Sequence, residues 1–281
     1  MRQPAPASGV RTSLAIPEPF DTAWILGFLR ARQAPAIETI GEDAIARTIA
    51  IDGKPARLRL SIGSRRITAE CSAPVAPELV RAMARRMLDL DADVASFAAH
   101  VAGDRVLGRL VRARPGLRVP QFLDPFECVV RAVLGQQVSV RAATTFVNRL
   151  AVMFDGFPGA EQIAAAGPER LQTIGLTNAR SVALHGIAAT IASGRVDLEA
   201  LRSAPGEEAQ AVLDALPGIG PWTASYIRMR GLGDRDAFPA ADLGVLRALR
   251  ATPAEAERRS KRWSPWRAYA VMHLWAGEAG A

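Results

Sequence analysis

The stretch Leu216–Tyr226, LPGIGPWTASY, holds the residue types and spacing that point most directly to chemistry. Gly218 and Gly220 bracket a tight turn, where glycine reaches backbone conformations closed to other residues and lets another chain come close. Pro221 stands where a helix would start, since the first helical N–H has no intrahelical partner to lose. The free N–H groups of that helix start would point outward at its positive dipole end, an anion site. Helix, Gly-x-Gly turn and helix together suit the gripping of a phosphate without reading sequence. The same spacing also serves as an ordinary connection between packed helices. Further on, Asp242 precedes LGVLRAL, where it would cap a helix and so have a fixed direction.

The rest of the composition narrows the partner. The 281 residues carry 35 Lys and Arg against 28 Asp and Glu, a net charge of +7, which favours a polyanion and most simply nucleic acid. Arginine supplies almost all of it, the only lysines being Lys54 and Lys261. Hydrophobic content of 49% and charged content of 22% describe a folded chain, long enough for two or three lobes. No apolar run approaches the ~20 residues of a membrane span. Cys71 and Cys128 are too few for a disulfide framework or a metal cluster and fit a reducing cytoplasm. His100, His185 and His273 are well separated and suggest no metal site. Met1–Ser13 has no signal-peptide pattern and reads as a floppy lead-in.

These residues need elements to position them. Asp21 caps an expected helix, DTAWILGFLRAR, with Trp24, Ile25, Phe28 and Leu29 on one apolar stripe. AIARTIAIDGKPARLRLSI gives two alternating runs joined by Asp52-Gly53, the strongest short hairpin signal, and RRITAECS a third strand. APELVRAMARRMLDL reads as an amphipathic helix with Leu79, Met83 and Met87 in step, continued by DVASFAAHVAG. ARPGLRVPQFLD, residues 113–124, reads as a linker. From Pro125 onward there are only helices: PFECVVRAVLGQ, SVRAATTFVNRLAVMF, NARSVALHGIAATIASG, EEAQAVLDAL, PWTASYIRMRGL, DLGVLRAL and SPWRAYAVMHLWAGE. The expected class is α+β: a small antiparallel sheet with helices in residues 1–88, then an all-helical body of two lobes. Those lobes are residues 113–230 and 231–281, joined by a helix over 89–112.

LPGIGPWTASYIRMRGLGDRDAFPAADLGVLRAL resembles the helix–hairpin–helix of the DNA glycosylase superfamily, followed by that superfamily's catalytic loop and aspartate. WILGFLRAR, ARPGLRVP, AVLGQQVSVRAA and RWSPWRAYAVMHLW are similar, in the same order, to the bacterial DNA-3-methyladenine glycosylase II family. The match covers about residues 15–278.

The resemblance implies cleavage of the bond between a damaged base and deoxyribose in double-stranded DNA. A carboxylate, Asp242, would stabilise the oxocarbenium character of the departing sugar and direct a water. Near relatives can have two adjacent acids here, but Ala241 precedes Asp242; Asp234 and Asp236 read as turn residues. Relatives that also cut the backbone carry a lysine where this chain has Trp222, which implies a hydrolase without a lyase step. The resemblance assigns Trp222, Tyr226, Trp275 and Phe28 to the base pocket, where π faces attract a cationic alkylated purine. Each is also a plausible core aromatic. Leu243 replaces an aromatic of close relatives. Gln136 and Gln137, in the LGQQVS turn, would be the wedge that fills the gap left by a flipped base. Gly218, Gly220 and Thr223 would hold the DNA backbone. No cofactor is required, although a monovalent cation could sit among the hairpin carbonyls, and a bacterial monomer near the nucleoid is expected. Relatives can be fused to a cysteine-rich, methyl-accepting domain, for which the chain has no room. The rival expectations are a non-catalytic helix–hairpin–helix DNA-binding or damage-sensing protein, and a glycosylase for a neutral lesion.

Overall fold

The computed structural model describes residues 9–279. Five antiparallel strands form one sheet: β1 Val10–Ala15, β2 Glu38–Ile40, β3 Ala44–Ile51, β4 Lys54–Ile62 and β5 Arg66–Cys71, in the order β1-β5-β4-β3-β2. The β3–β4 hairpin turns at Asp52 and Gly53, both left-handed (φ 49° and 72°), as an Asp-Gly turn requires. The alternation of β4 is read directly as burial. Ala56, Leu58, Leu60 and Ile62 face a core shared with Ile25 and Leu26 of α1 (Thr22–Arg30) and Val80, Met87 and Leu88 of α2 (Pro77–Leu88). Asp21 caps α1 by accepting from Trp24 N at 3.0 Å.

Several expectations are corrected here. Of the lead-in, Met1–Ser8 lies outside the described residues, while Val10–Ala15 is an edge strand paired with β5. The buried stripe of α2 runs through Val80, Ala84 and Met87, leaving Leu79 exposed. Residues 89–112 form no single helix. Asp89 ends α2 in a left-handed conformation (φ 51°), and two short helices follow, α3 Val94–His100 and α4 Leu107–Ala113.

The segment after α4 is no linker. Gly116 to Pro120 are buried, and Arg118 is 1% exposed. Arg118 Nη1 donates to the carbonyls of Asp89 (2.8 Å) and Ala92 (3.2 Å), and Nη2 to that of Pro19 (3.2 Å). The Asp89 carboxylate in turn accepts from Val119 N and the Tyr269 hydroxyl, each at 3.0 Å. Burial pushes the Asp89 carboxyl up to about 6, against those two hydrogen bonds. The segment is therefore a strap threaded between the sheet lobe and the helical body.

That body contains α5 Pro125–Leu134, α6 Val140–Met153, α7 Ala160–Gln172, α8 Asn178–Ala192, α9 Gly206–Asp214, α10 Pro221–Ile227, α11 Leu243–Leu249, α12 Pro253–Ser260 and α13 Arg267–Ala279. Helices α7 and α12 were not anticipated from the sequence; α7 is kinked at Gly167-Pro168, which hides its period. Two clusters organise the helices. One centres on α5 and α8 (Val129, Val133, Leu184, Ile187), the other on α11 and α13 (Val245, Tyr269, Met272). A buried four-charge network joins sheet to body: Arg47 pairs with Glu38 and Glu127, and Arg131 lies 2.8 Å from each of the same two carboxylates. Burial alone would raise Glu127, yet Arg47 and Arg131 hold its carboxyl below the usual range.

His273 of α13 is 2% exposed, its ring 5.4 Å from that of Phe97. Burial pushes its pKa down to about 4, against a hydrogen bond to the Leu110 backbone. The unfolded chain accepts this proton near pH 6.5 and the folded chain does not, so the stabilisation is complete above that value and fades as pH falls toward 4. The loss is about 3 kcal/mol over that window. Replacing His273 with Phe adds a packing change that is the same at every pH. Denaturation at pH 7 and pH 4.5 should therefore show wild type losing about 2–3 kcal/mol relative to the variant. A constant difference would place the proton uptake elsewhere.

Candidate active site

Two indole N–H groups hold the carboxylate of Asp242 from opposite sides. Trp275 Nε1 donates to Oδ1 at 2.8 Å and Trp222 Nε1 to Oδ2 at 3.1 Å. Oδ1 also accepts from Gly244 N (2.9 Å) and Val245 N (3.0 Å), so Asp242 caps α11 and its direction is fixed. Gly244 makes room for this: a Cβ there would lie 2.9 Å from Trp275 Cδ1. Asp234 is engaged by Arg228, and Asp236 by Arg267 and Ser264, which brace the loop from α10 to α11.

Asp242, Trp222, Tyr226 and Trp275 line one cleft of about 720 Å³. The Trp222 and Tyr226 rings stack with centroids 5.6 Å apart, and Tyr226 is 6.5 Å from Trp275. Phe28 is placed differently. It is 8% exposed and stacked on Trp24 (5.1 Å) and Trp275 (6.2 Å), behind the cleft wall. Its place on the surface is taken by Arg32, four residues on, whose guanidinium lies 3.8 Å from the Phe28 ring centre. Burial pushes the Arg32 pKa down to about 10; neighbouring Tyr226 raises it, Arg230 lowers it and Asp242 raises it. Arg32 and the buried Arg230 escaped notice in the sequence, where charges near a helix end look like solvent-facing residues. The i, i+4 spacing from Phe28 was the available signal.

A larger groove of about 1150 Å³ lies between β3, α2 and the loop before α7. Four of its carboxylates are already committed: Asp89 to the strap, Asp91 to Arg85, Asp124 to the cap of α5 and Glu127 to its arginines, while Asp155 and Glu161 are exposed. The cleft at Asp242 is the one equipped for chemistry.

The hairpin sits beside the cleft. Gly218 is exposed and left-handed (φ 74°), and an added Cβ would lie 2.9 Å from Ala183 Cβ of α8. Gly220 begins α10 with extended backbone (φ −103°) and open space around it. The N–H groups of Gly218 and Gly220 have no partner among the described residues. Thr223 is 3% exposed, and its hydroxyl accepts from Gln136 Nε2 at 3.0 Å, so that side chain faces the protein and not the solvent. Gln136 also donates to Gly218 O at 2.8 Å. Of the two glutamines, only Gln137 projects: it is exposed, with a left-handed backbone (φ 55°). Among the described residues, no group of three or more His, Cys, Asp or Glu could hold a metal ion, and no helix is long and apolar enough to cross a membrane.

Comparison with known proteins agrees with this architecture. Residues 130–265, which contain the hairpin, Trp222 and Asp242, match the HhH-GPD superfamily of base excision DNA repair proteins. Residues 11–124 match the AlkA N-terminal domain. The DNA-3-methyladenine glycosylase 2 of Escherichia coli is 33% identical over 286 residues, 92% of this chain and 95% of that protein. A Mycobacterium tuberculosis protein described as a probable bifunctional transcriptional activator/DNA repair enzyme AlkA is 36% identical over 96% of this chain. The chain spans 58% of that relative's length. The 3-methyladenine DNA glycosylase of Archaeoglobus fulgidus superposes with a TM-score of 0.84 at 23% identity, covering 95% of this chain and 98% of that one. The fold and the hairpin-to-aspartate segment thus place the chain in the helix–hairpin–helix (HhH-GPD) superfamily of base excision DNA repair proteins. Within that class, the chain belongs to the AlkA family of DNA-3-methyladenine glycosylases.

Proposed function

We propose that the chain is a monofunctional DNA glycosylase that removes alkylated purines, 3-methyladenine and 7-methylguanine among them, from double-stranded DNA after base flipping. The observation that carries this is the Asp242 carboxylate, fixed by Trp222 and Trp275 N–H groups inside an aromatic cleft. The hairpin amides of Gly218 and Gly220 hold a phosphate, and a monovalent cation sits at those hairpin carbonyls that Gln136 leaves free. Gln137 fills the space of the extruded nucleotide. The base enters between the tryptophans and Tyr226. Its glycosidic bond breaks with the electron pair going to the base. Asp242 stabilises the positive charge left on the sugar, and a water adds to C1′ and gives up its proton. A Schiff-base lyase step needs an amine. Trp222 stands where that amine would be, and neither Lys54 nor Lys261 lines the cleft. The protein acts as a monomer on the DNA of the bacterial nucleoid.

The test is base release from alkylated DNA, identified by mass spectrometry, with strand cleavage followed in parallel. Free 3-methyladenine and 7-methylguanine with intact strands until alkali is added is the expected result. Strand breaks without alkali would contradict the hydrolase mechanism, and binding without release would favour a damage sensor.

The hairpin makes its own prediction. A valine at Gly218 must take a left-handed backbone and meets Ala183. Affinity should fall about 10-fold for damaged and undamaged duplexes alike, because the contact is to phosphate. Unchanged binding in a titration would remove the hairpin from the DNA interface.

A further inference from the structure

The sheet spends only one of its faces on the core. Helices α1 and α2 pack against the side that carries Leu58, Leu60 and Ile67, and the cleft draws Ile40 and Arg47 from that same side. On the opposite side, Arg57 and Arg59 of β4, Arg66 of β5 and Arg11 of β1 are all exposed, and none of the four lines the cleft. The strand register gathers them. Ala46, Arg59, Glu70 and Arg11 stand in one row across four strands, and Arg57 lies two residues from Arg59 along β4. With strands about 4.8 Å apart and alternate residues about 6.8 Å apart, Arg11, Arg57 and Arg59 fall within roughly 12 Å of one another. Small side chains at Ser13, Ala15, Ser61 and Thr68 fill the positions between them and Arg66, so the face is flat.

The charge on this face is not balanced within it. Glu70 is the one carboxylate at these strand positions, 3.5 Å from Arg11 Nε. Arg66 Nε donates to Ser13 Oγ at 2.7 Å, and the guanidinium groups of Arg57 and Arg59 have no partner among the described residues. Other surface arginines, Arg85, Arg114 and Arg262 among them, sit beside carboxylates. Charged side chains guard sheet edges, yet β4 is the central strand of the order β1-β5-β4-β3-β2. Sheet stability at such a position favours Thr, β-branched residues or cross-strand pairs of opposite charge, not four cations around one anion. A flat face of excess guanidinium suits the phosphates of a duplex, a contact that reads no bases. We propose that the outer face of the sheet is a second, sequence-independent DNA-binding surface, which holds a separate duplex segment while another occupies the cleft. This goes beyond the glycosylase reading and does not depend on the chemistry at Asp242. A protein that holds two segments keeps one while it releases the other, because the second contact forms at high local concentration.

The experiment binds the full chain to a short immobilised duplex with a tetrahydrofuran abasic site, which fills the cleft, and then adds a labelled undamaged duplex. The wild type should capture the second duplex. Light scattering of the same mixture in solution should give the mass of one protein with two duplexes. Capture should fall about 10-fold or more in Arg57→Gln/Arg59→Gln/Arg66→Gln, which keeps the Arg11–Glu70 pair. The salt slope of log K for the second duplex should flatten by about 3, near one unit for each arginine. Lysine at the same three positions keeps the charge and should keep most of the capture. Single-turnover release of 7-methylguanine from a short methylated duplex should stay at the wild-type rate in both variants, which also reports that they fold. No capture by the wild type, equal capture by the glutamine variant, or a complex in which two proteins bridge the duplexes overturns the proposal. So does a glutamine variant that unfolds cooperatively like the wild type but has lost base release, since the arginines would then lie under the lesion duplex. Capture by a wild type that releases no base would sink the glycosylase reading and leave this one standing.

Discussion

Asp242→Asn should bind methylated duplex DNA as tightly as the wild type and release bases about 10³-fold more slowly. Four N–H groups converge on the two carboxylate oxygens, three on Oδ1 and one on Oδ2. An amide has only one acceptor oxygen. Asparagine best keeps it at the Oδ1 position, facing Gly244, Val245 and Trp275, and turns its NH2 toward the Trp222 indole N–H. Asparagine caps a helix as well as aspartate does, so α11 and its packing survive. What disappears is the negative charge that meets the sugar in the transition state, a loss that touches the rate and not the grip on phosphate. The measurement is paired: single-turnover release of 7-methylguanine, and equilibrium binding to the same duplex. A variant that still released the base at the wild-type rate would falsify the catalytic assignment.

The parts legible in the sequence were those set by local chemistry. Asp52-Gly53 forces a hairpin because its backbone requirement is intrinsic, and Asp21 and Asp242 mark helix starts because capping is a matter of neighbouring N–H groups. The parts that stayed hidden depend on distant partners. ARPGLRVPQFLD has the proline and glycine content of a linker, and only Asp89, Pro19 and Ala92, far away in the chain, make it a buried strap. Val10–Ala15 is a strand because β5 offers it an edge. The same divide runs through the site. Adjacent Gln136 and Gln137 cannot be told apart by type. The left-handed backbone at Gln137 turns that residue outward, while the hairpin captures Gln136. Thr223 lies in the right motif, but its side chain serves that same brace. Phe28 falls beneath Arg32 because the turn after α1 brings the guanidinium back over the ring, a placement that the apolar stripe hides and only the i, i+4 spacing signals.

The strap is where the fold itself is most exposed to a single substitution. Arg118→Met keeps the length and apolar stem of the side chain and removes the guanidinium. The carbonyls of Asp89, Ala92 and Pro19 then lose their donor in a site that water does not reach. The Asp89 carboxyl loses the favourable charge of Arg118 as well, leaving that of Arg235, while its contacts from Val119 N and Tyr269 remain. Unmet buried acceptors and removal of a buried charge's partner together cost about 3–5 kcal/mol. That is a large share of a typical domain's stability, since such proteins unfold with only about 5–15 kcal/mol. The end of α2 at Asp89, the strap and α13 at Tyr269 meet at this one point. Failure there should loosen the sheet lobe from the helices that carry Trp275 and Asp242. Chemical denaturation should show an unfolding free energy lowered by that amount, and Arg118→Lys should recover only part of it, because a single ammonium cannot span three separated carbonyls. An unfolding free energy within about 1 kcal/mol of wild type, judged against the spread usual for surface changes, would mean that solvent or a shifted strap satisfies those carbonyls instead.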